Sequence, residues 1–188
     1  MYFESLNPSD WAAWAQAIAA TAAIFFSARF GRKQSQTQYE NSRKLQQEEL
    51  RNKELVLTEA ITEMMKNTDA RVQYVKDNLS SREAIGDVVD KNKYFDLDCL
   101  TEVLGSLGQI PLQDIASSKV LRNVMHITSA VRQLEIQMEK ALMEYRRLNA
   151  DDFKTFLITI EQIKTCTTAI YSETNTYLNN LKEEASNC

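Results

Sequence analysis

The sequence predicts an all-α protein, and three observations carry that expectation. Four Gly and two Pro in 188 residues leave few helix breakers. Leu, Gln, Glu, Lys, Arg and Ala, all good helix formers, are plentiful. Long stretches repeat their apolar residues at alternating steps of three and four, the spacing of one helix face. The architecture expected is an N-terminal transmembrane helix that continues into a stalk or coiled coil and then into an antiparallel helical bundle.

Residues 1–10 read as a short tail, with Pro8 suited to a first helical turn and Ser9 or Asp10 to capping it. Residues 11–30 are the expected membrane helix. From Trp11 to Ala28 there is no charged residue, and eighteen helical residues reach about 27 Å, close to the roughly 30 Å of a hydrocarbon core. Trp11, Trp14, Phe25, Phe26 and Phe30 would sit at the membrane interfaces. Ala15, Ala19, Ala23 and Ser27 recur every four residues and would let two such helices approach closely.

Hydrophobic strength is the counterweight. Nine of these eighteen residues are Ala, and Gln16, Thr21 and Ser27 are polar. Ile18, Ile24, Phe25 and Phe26 together supply only about −1 to −2.5 kcal/mol toward insertion. A helix of a soluble bundle is the competing reading of the same stretch.

Charge is distributed unevenly around this segment. Residues 1–28 carry only Glu4 and Asp10, residues 29–55 carry seven basic and four acidic side chains, and the whole chain sums to −4. Arg29, Arg32 and Lys33 directly follow the apolar run. They predict a cytoplasmic C-terminal side, an N-terminus outside a bacterial inner membrane, and contact with lipid headgroups. The modest net charge argues against nucleic acid as a partner.

Residues 31–49 hold only Tyr39 and Leu45 as large apolar side chains, so they predict a solvated helical stalk or a linker. Residues 50–183 predict the bundle. A seam of Leu50, Leu57, Ile61, Met65, Thr68, Val72, Val75 and Leu79 marks a long helix over about 50–79. Gly86, Gly105, Gly108 and Pro111 punctuate residues 80–117, where one short helix is expected near 97–107. Two further long helices are expected over about 118–149 and 151–183, joined by a short turn at "LNADD" and therefore antiparallel. Residues 184–188 form a tail.

The stretch "DWAAWAQAIAATAAI" (residues 10–24), followed by basic and glutamine-rich sequence, resembles uncharacterised small bacterial proteins, some of them prophage-associated. The resemblance covers about 40 residues, and this chain carries Ala19 where the similar segments often carry glycine. It implies an N-terminal anchor, a helical cytoplasmic part and a role in prophage exclusion or defence.

Chemistry-bearing motifs are few. His126 is the only histidine and has no Cys or second His beside it in sequence, so boundary packing or solvent exposure is expected for it rather than catalysis. "DVVDKNKYFDLD" (residues 87–98) fails as a calcium loop: counted from Asp90, the sixth position is Phe95 and the twelfth is Thr101. "GSLG" lacks the spacing and the lysine of a phosphate cradle. Cys99, Cys166 and Cys188 are odd in number and far apart, which predicts reduced thiols.

No catalytic, metal or cofactor-binding residues are therefore expected. The leading expectation is a membrane-anchored interaction or regulatory protein, with lipid, further copies of itself and an unidentified protein as partners. An inner-membrane spanin-like lysis protein with a periplasmic coiled coil, and a soluble coiled-coil scaffold, are the alternatives.

Overall fold

The computed structural model describes residues 8–186, with side chains from residue 15 onward. Among them there is no strand. Five helices follow one another: α1 (Pro8–Asn78), α2 (Arg82–Val89), α3 (Cys99–Gly108), α4 (Ser118–Met143) and α5 (Ala150–Ser186). A 3₁₀ turn at Leu112–Asp114 joins α3 to α4. The chain divides into two units, Met1–Arg51 and Asn52–Cys188.

The N-terminal unit contains the first part of α1. Helix persists through the polar residues 31–49 because no proline interrupts it and most positions are strong helix formers, whose preference outweighs the roughly 1 kcal/mol cost of Gly31. Every side chain from residue 15 to residue 50 is exposed, so this part of the helix buries nothing within the chain.

The C-terminal unit holds the core. Along α1 the buried seam is Ile61, Met65, Thr68, Val72 and Val75, continued by Leu79 just past its end, with Thr58 and Thr62 buried beside it. On α4 the seam is Val120, Val124, Ile127, Val131, Leu134, Met138 and Ala141, with Asn123 buried beside it, and on α5 it is Phe156, Ile160, Ile163, Thr167, Ile170 and Thr174, with Leu178 buried one turn further on. Each set alternates steps of three and four, which keeps one face of each helix turned inward over many turns. Truncating any of the large ones to Ala costs about 2–5 kcal/mol.

Polar pairs fix direction and register. Glu54 pairs with Tyr177 at 2.9 Å, Asp69 with Lys164 at 2.6 Å, and Lys76 with Glu161 at 2.6 Å, so numbering rises along α1 as it falls along α5. Between α4 and α5, Asn123 donates to Thr174 Oγ1 and to Glu173, each at 3.1 Å, and Lys119 also reaches Glu173. α3 is tied to α4 by the Thr101 hydroxyl donating to Glu135 at 2.7 Å. Together these give an antiparallel bundle.

Helix ends follow from local chemistry. Ser81 caps α2 by accepting from the Ala84 amide, and Ser117 caps α4 by accepting from the Val120 amide. Asn149 Oδ1 accepts from the Asp152 amide at 2.8 Å, and Asp151 and Asp152 complement the positive end of α5.

One expectation is overturned. No helix among the described residues is long and apolar enough to cross a membrane. The physical reason lies in length: among the described side chains the uncharged run starts at residue 15 and is ended by Arg29 after fourteen residues, about 21 Å of helix against a hydrocarbon core of roughly 30 Å. The span at residues 11–30 and the placement in an inner membrane with the N-terminus outside are therefore corrected. The spanin-like reading loses its anchor for the same reason.

Candidate interaction surfaces

The structure brings together two groups of exposed apolar side chains, one in each unit. The first holds three of the residues that the sequence singled out, Phe25, Phe26 and Phe30, with Ile18 and Ile24. Phe25, Phe26 and Phe30 are 72–73% exposed, Ile24 is 71% exposed and Ile18 is 64% exposed. A helix that shows large apolar side chains to water over this length lacks a partner surface in the single chain.

Phe25, Arg29, Arg32 and Lys33 line one shallow groove with Ala28 and Gln36. The cations therefore flank the aromatic rather than lying on a separate face. Ala15, Ala19, Ala23 and Ser27 are exposed along the same helix. Trp11 and Trp14 lie in helical backbone, and their side chains fall outside the described residues.

The second surface was not expected from the sequence. A groove of about 680 Å³ opens where the α2–α3 connection meets the C-terminal end of α4. Phe95 and Met138 are buried in its floor, while Val88, Val89 and Leu142 are half-buried around them. Tyr94, Leu97 and Met143 stand at its edge, 87%, 56% and 84% exposed. Lys91, Lys93, Asp98 and Glu139 supply charges of both signs around this apolar interior.

The groove is held by α1 and by the end of α2. Phe95 stacks on Tyr74 with ring centroids 5.4 Å apart, and the Tyr74 hydroxyl accepts from the Asp96 amide at 3.2 Å. α2 ends with the Lys91 amide bonded to the Val88 carbonyl and the Asn92 amide bonded to the Asp87 carbonyl. That two-bond pattern places its first residue beyond the cap in the left-handed region, and Lys91 has φ 59°. The sequence signal was the apolar run Tyr94, Phe95, Leu97 inside a charged loop.

The Thr101 hydroxyl is committed to Glu135, and His126 is exposed on α4 away from the groove lining. Among the described residues no group of three or more His, Cys, Asp and Glu side chains is placed to hold a metal ion. Cys99 is fully buried, and burial, with Asp96 nearby, pushes its thiol up to about 11; Cys166 is exposed. The arrangement suits binding of apolar side chains.

Among the described residues the fold is all-α, with five helices and two exposed apolar surfaces. The chain matches none of the protein-family models, curated proteins or solved structures with which it was compared.

Proposed function

We propose that this chain is a helical interaction protein that acts by assembling with other chains rather than by catalysis. The observation that carries the reading is the N-terminal part of α1, where residues 15–50 are all exposed and five large apolar side chains lie between Ile18 and Phe30. A lone helix of this kind gains nothing from burial and is marginal in water, so the segment gains most of its stability from a partner. The nearest source of a complementary apolar face is a second copy of the same chain, which offers the same residues.

The groove beside α4 supports the same class of function. Its apolar floor and its rim of mixed charge suit an amphipathic helix with charges flanking an apolar stripe.

Light scattering on the full chain in detergent-free buffer tests the reading. It predicts a mass above the 21.6 kDa of one chain, falling when Phe25 is replaced by Glu. A single-chain mass at every concentration would sink it.

A further inference from the structure

We infer that at least three copies of this chain pack their N-terminal helices together through residues 15–30. The inference rests on the reading that the segment's partner is another copy, and it adds the number.

The number follows from where the apolar side chains point. Successive residues of an α-helix turn by about 100°. With Ile18 taken as zero, Phe25 lies about 20° to one side and Ile24 about 120° to that same side. Phe26 and Phe30 lie about 80° and about 120° to the other side. Large apolar side chains, all at least 64% exposed, thus stand across a sector of about 240°, which also holds Thr21 about 60° to the Phe25 side and, near its C-terminal end, Arg29 about 20° to the Phe26 side. Only Gln16, Ala20, Ala23 and Ser27 occupy the remaining strip.

One partner helix covers a stripe of roughly 100°. A pair meeting at Ile18 and Phe25 would leave Ile24 in water on one flank and Phe26 and Phe30 on the other. A helix with two neighbours covers the whole sector and turns the Gln16–Ser27 strip outward. Ala15, Ala19 and Ala22 lie between the large residues inside the sector, so large and small side chains can interdigitate across neighbours.

Area gives the same answer. An aromatic side chain buries about 150–250 Å², so the three phenylalanines, about three-quarters exposed, offer about 450 Å² per chain. Ile18 and Ile24 add to this apolar area left to water in the single chain. A pair that engages only the Ile18–Phe25 stripe covers the smaller part of it.

Sedimentation equilibrium of the full chain without lipid or detergent tests the inference, together with the double variant Ile24→Lys, Phe30→Glu. These two substitutions sit at opposite edges of the sector and outside the bundle core, so thermal unfolding of the C-terminal unit serves as the folding control. The expected result is a mass of three chains or more for the unmodified protein, falling to two or one in the variant while the bundle transition is unchanged. A two-chain mass for the unmodified protein overturns the inference and leaves the reading of self-association standing. A one-chain mass overturns both. A mass that the variant leaves unchanged overturns the inference, because another surface must then hold the copies. A one-chain protein that floats with phosphatidylglycerol vesicles overturns it too, lipid then being what covers the segment.

Discussion

The hydroxyl of Tyr145 occupies the space where a side chain at Gly86 would begin. A Cβ built on Gly86 would lie 2.5 Å from Tyr145 Oη and 2.9 Å from Cζ. Arg82, one turn earlier on α2, lies over the same ring at 6.0 Å and donates to the Leu148 carbonyl at 3.0 Å. The residues that follow α4 are thus pinned to α2 from two sides.

Gly86→Ala sets two effects against each other. Alanine gains about 1 kcal/mol in helix preference, but moving Tyr145 costs about 1–3 kcal/mol. The net expectation is a loss of about 1 kcal/mol, read from urea unfolding. In a Tyr145→Ala background the obstruction is gone, and the same substitution should stabilise by about 1 kcal/mol. The change of sign is the test: destabilisation in both backgrounds would contradict it.

Lys91 has a left-handed backbone at φ 59°, where glycine is the usual residue. Its side chain is exposed and contributes nothing to the core. Lys91→Gly should therefore raise stability by about 1 kcal/mol, as a higher urea midpoint with the slope unchanged. A lower midpoint would mean that Lys91 makes a contact worth more than the backbone strain.

Asp69 makes the bundle sensitive to acid. Burial works to raise its carboxyl, but the bonds from Lys164, Thr168 and Thr167 outweigh that and hold its pKa below the ordinary value. Because the folded value is depressed, the unfolded chain takes up the proton first. The stability from Asp69 is thus complete above about pH 4 and is lost as pH falls toward the lower folded value. Asp69→Asn should weaken the bundle at neutral pH and shrink its further loss between neutral pH and about pH 3. An acid limb as steep as that of the parent protein would contradict the assignment.

The cysteines should differ in reactivity. Cys166 is exposed, whereas Cys99 is buried with its thiol raised to about 11. Brief alkylation at mildly alkaline pH, followed by peptide mapping, should label Cys166 and spare Cys99 until the bundle is unfolded. Early labelling of Cys99 would show that the α3 region opens readily.

The bundle was legible because its signal is repeated. Val124, Ile127, Val131, Leu134 and Met138 keep one face inward over several turns, and no local irregularity cancels a pattern of that length. α2 was missed because Gly86 reads as a breaker in sequence; its purpose is close approach to Tyr145, which belongs to a distant part of the chain. The groove was missed for a related reason, since Tyr94, Leu97 and Met143 come together only when the α2–α3 connection folds back onto α4. The first segment was misread because an uncharged, alanine-rich run looks alike whether its future neighbour is lipid or another helix.

Hydrogen exchange of the full chain on serial dilution, read by mass spectrometry, tests the central claim most directly. If association holds the N-terminal part of α1 helical, amides of residues 15–50 exchange slowly in concentrated protein and faster as it is diluted. Those of residues 61–79, held by the bundle core, stay slow throughout. Exchange over residues 15–50 that is the same at every concentration would show that the segment does not depend on other copies, and the account would fail.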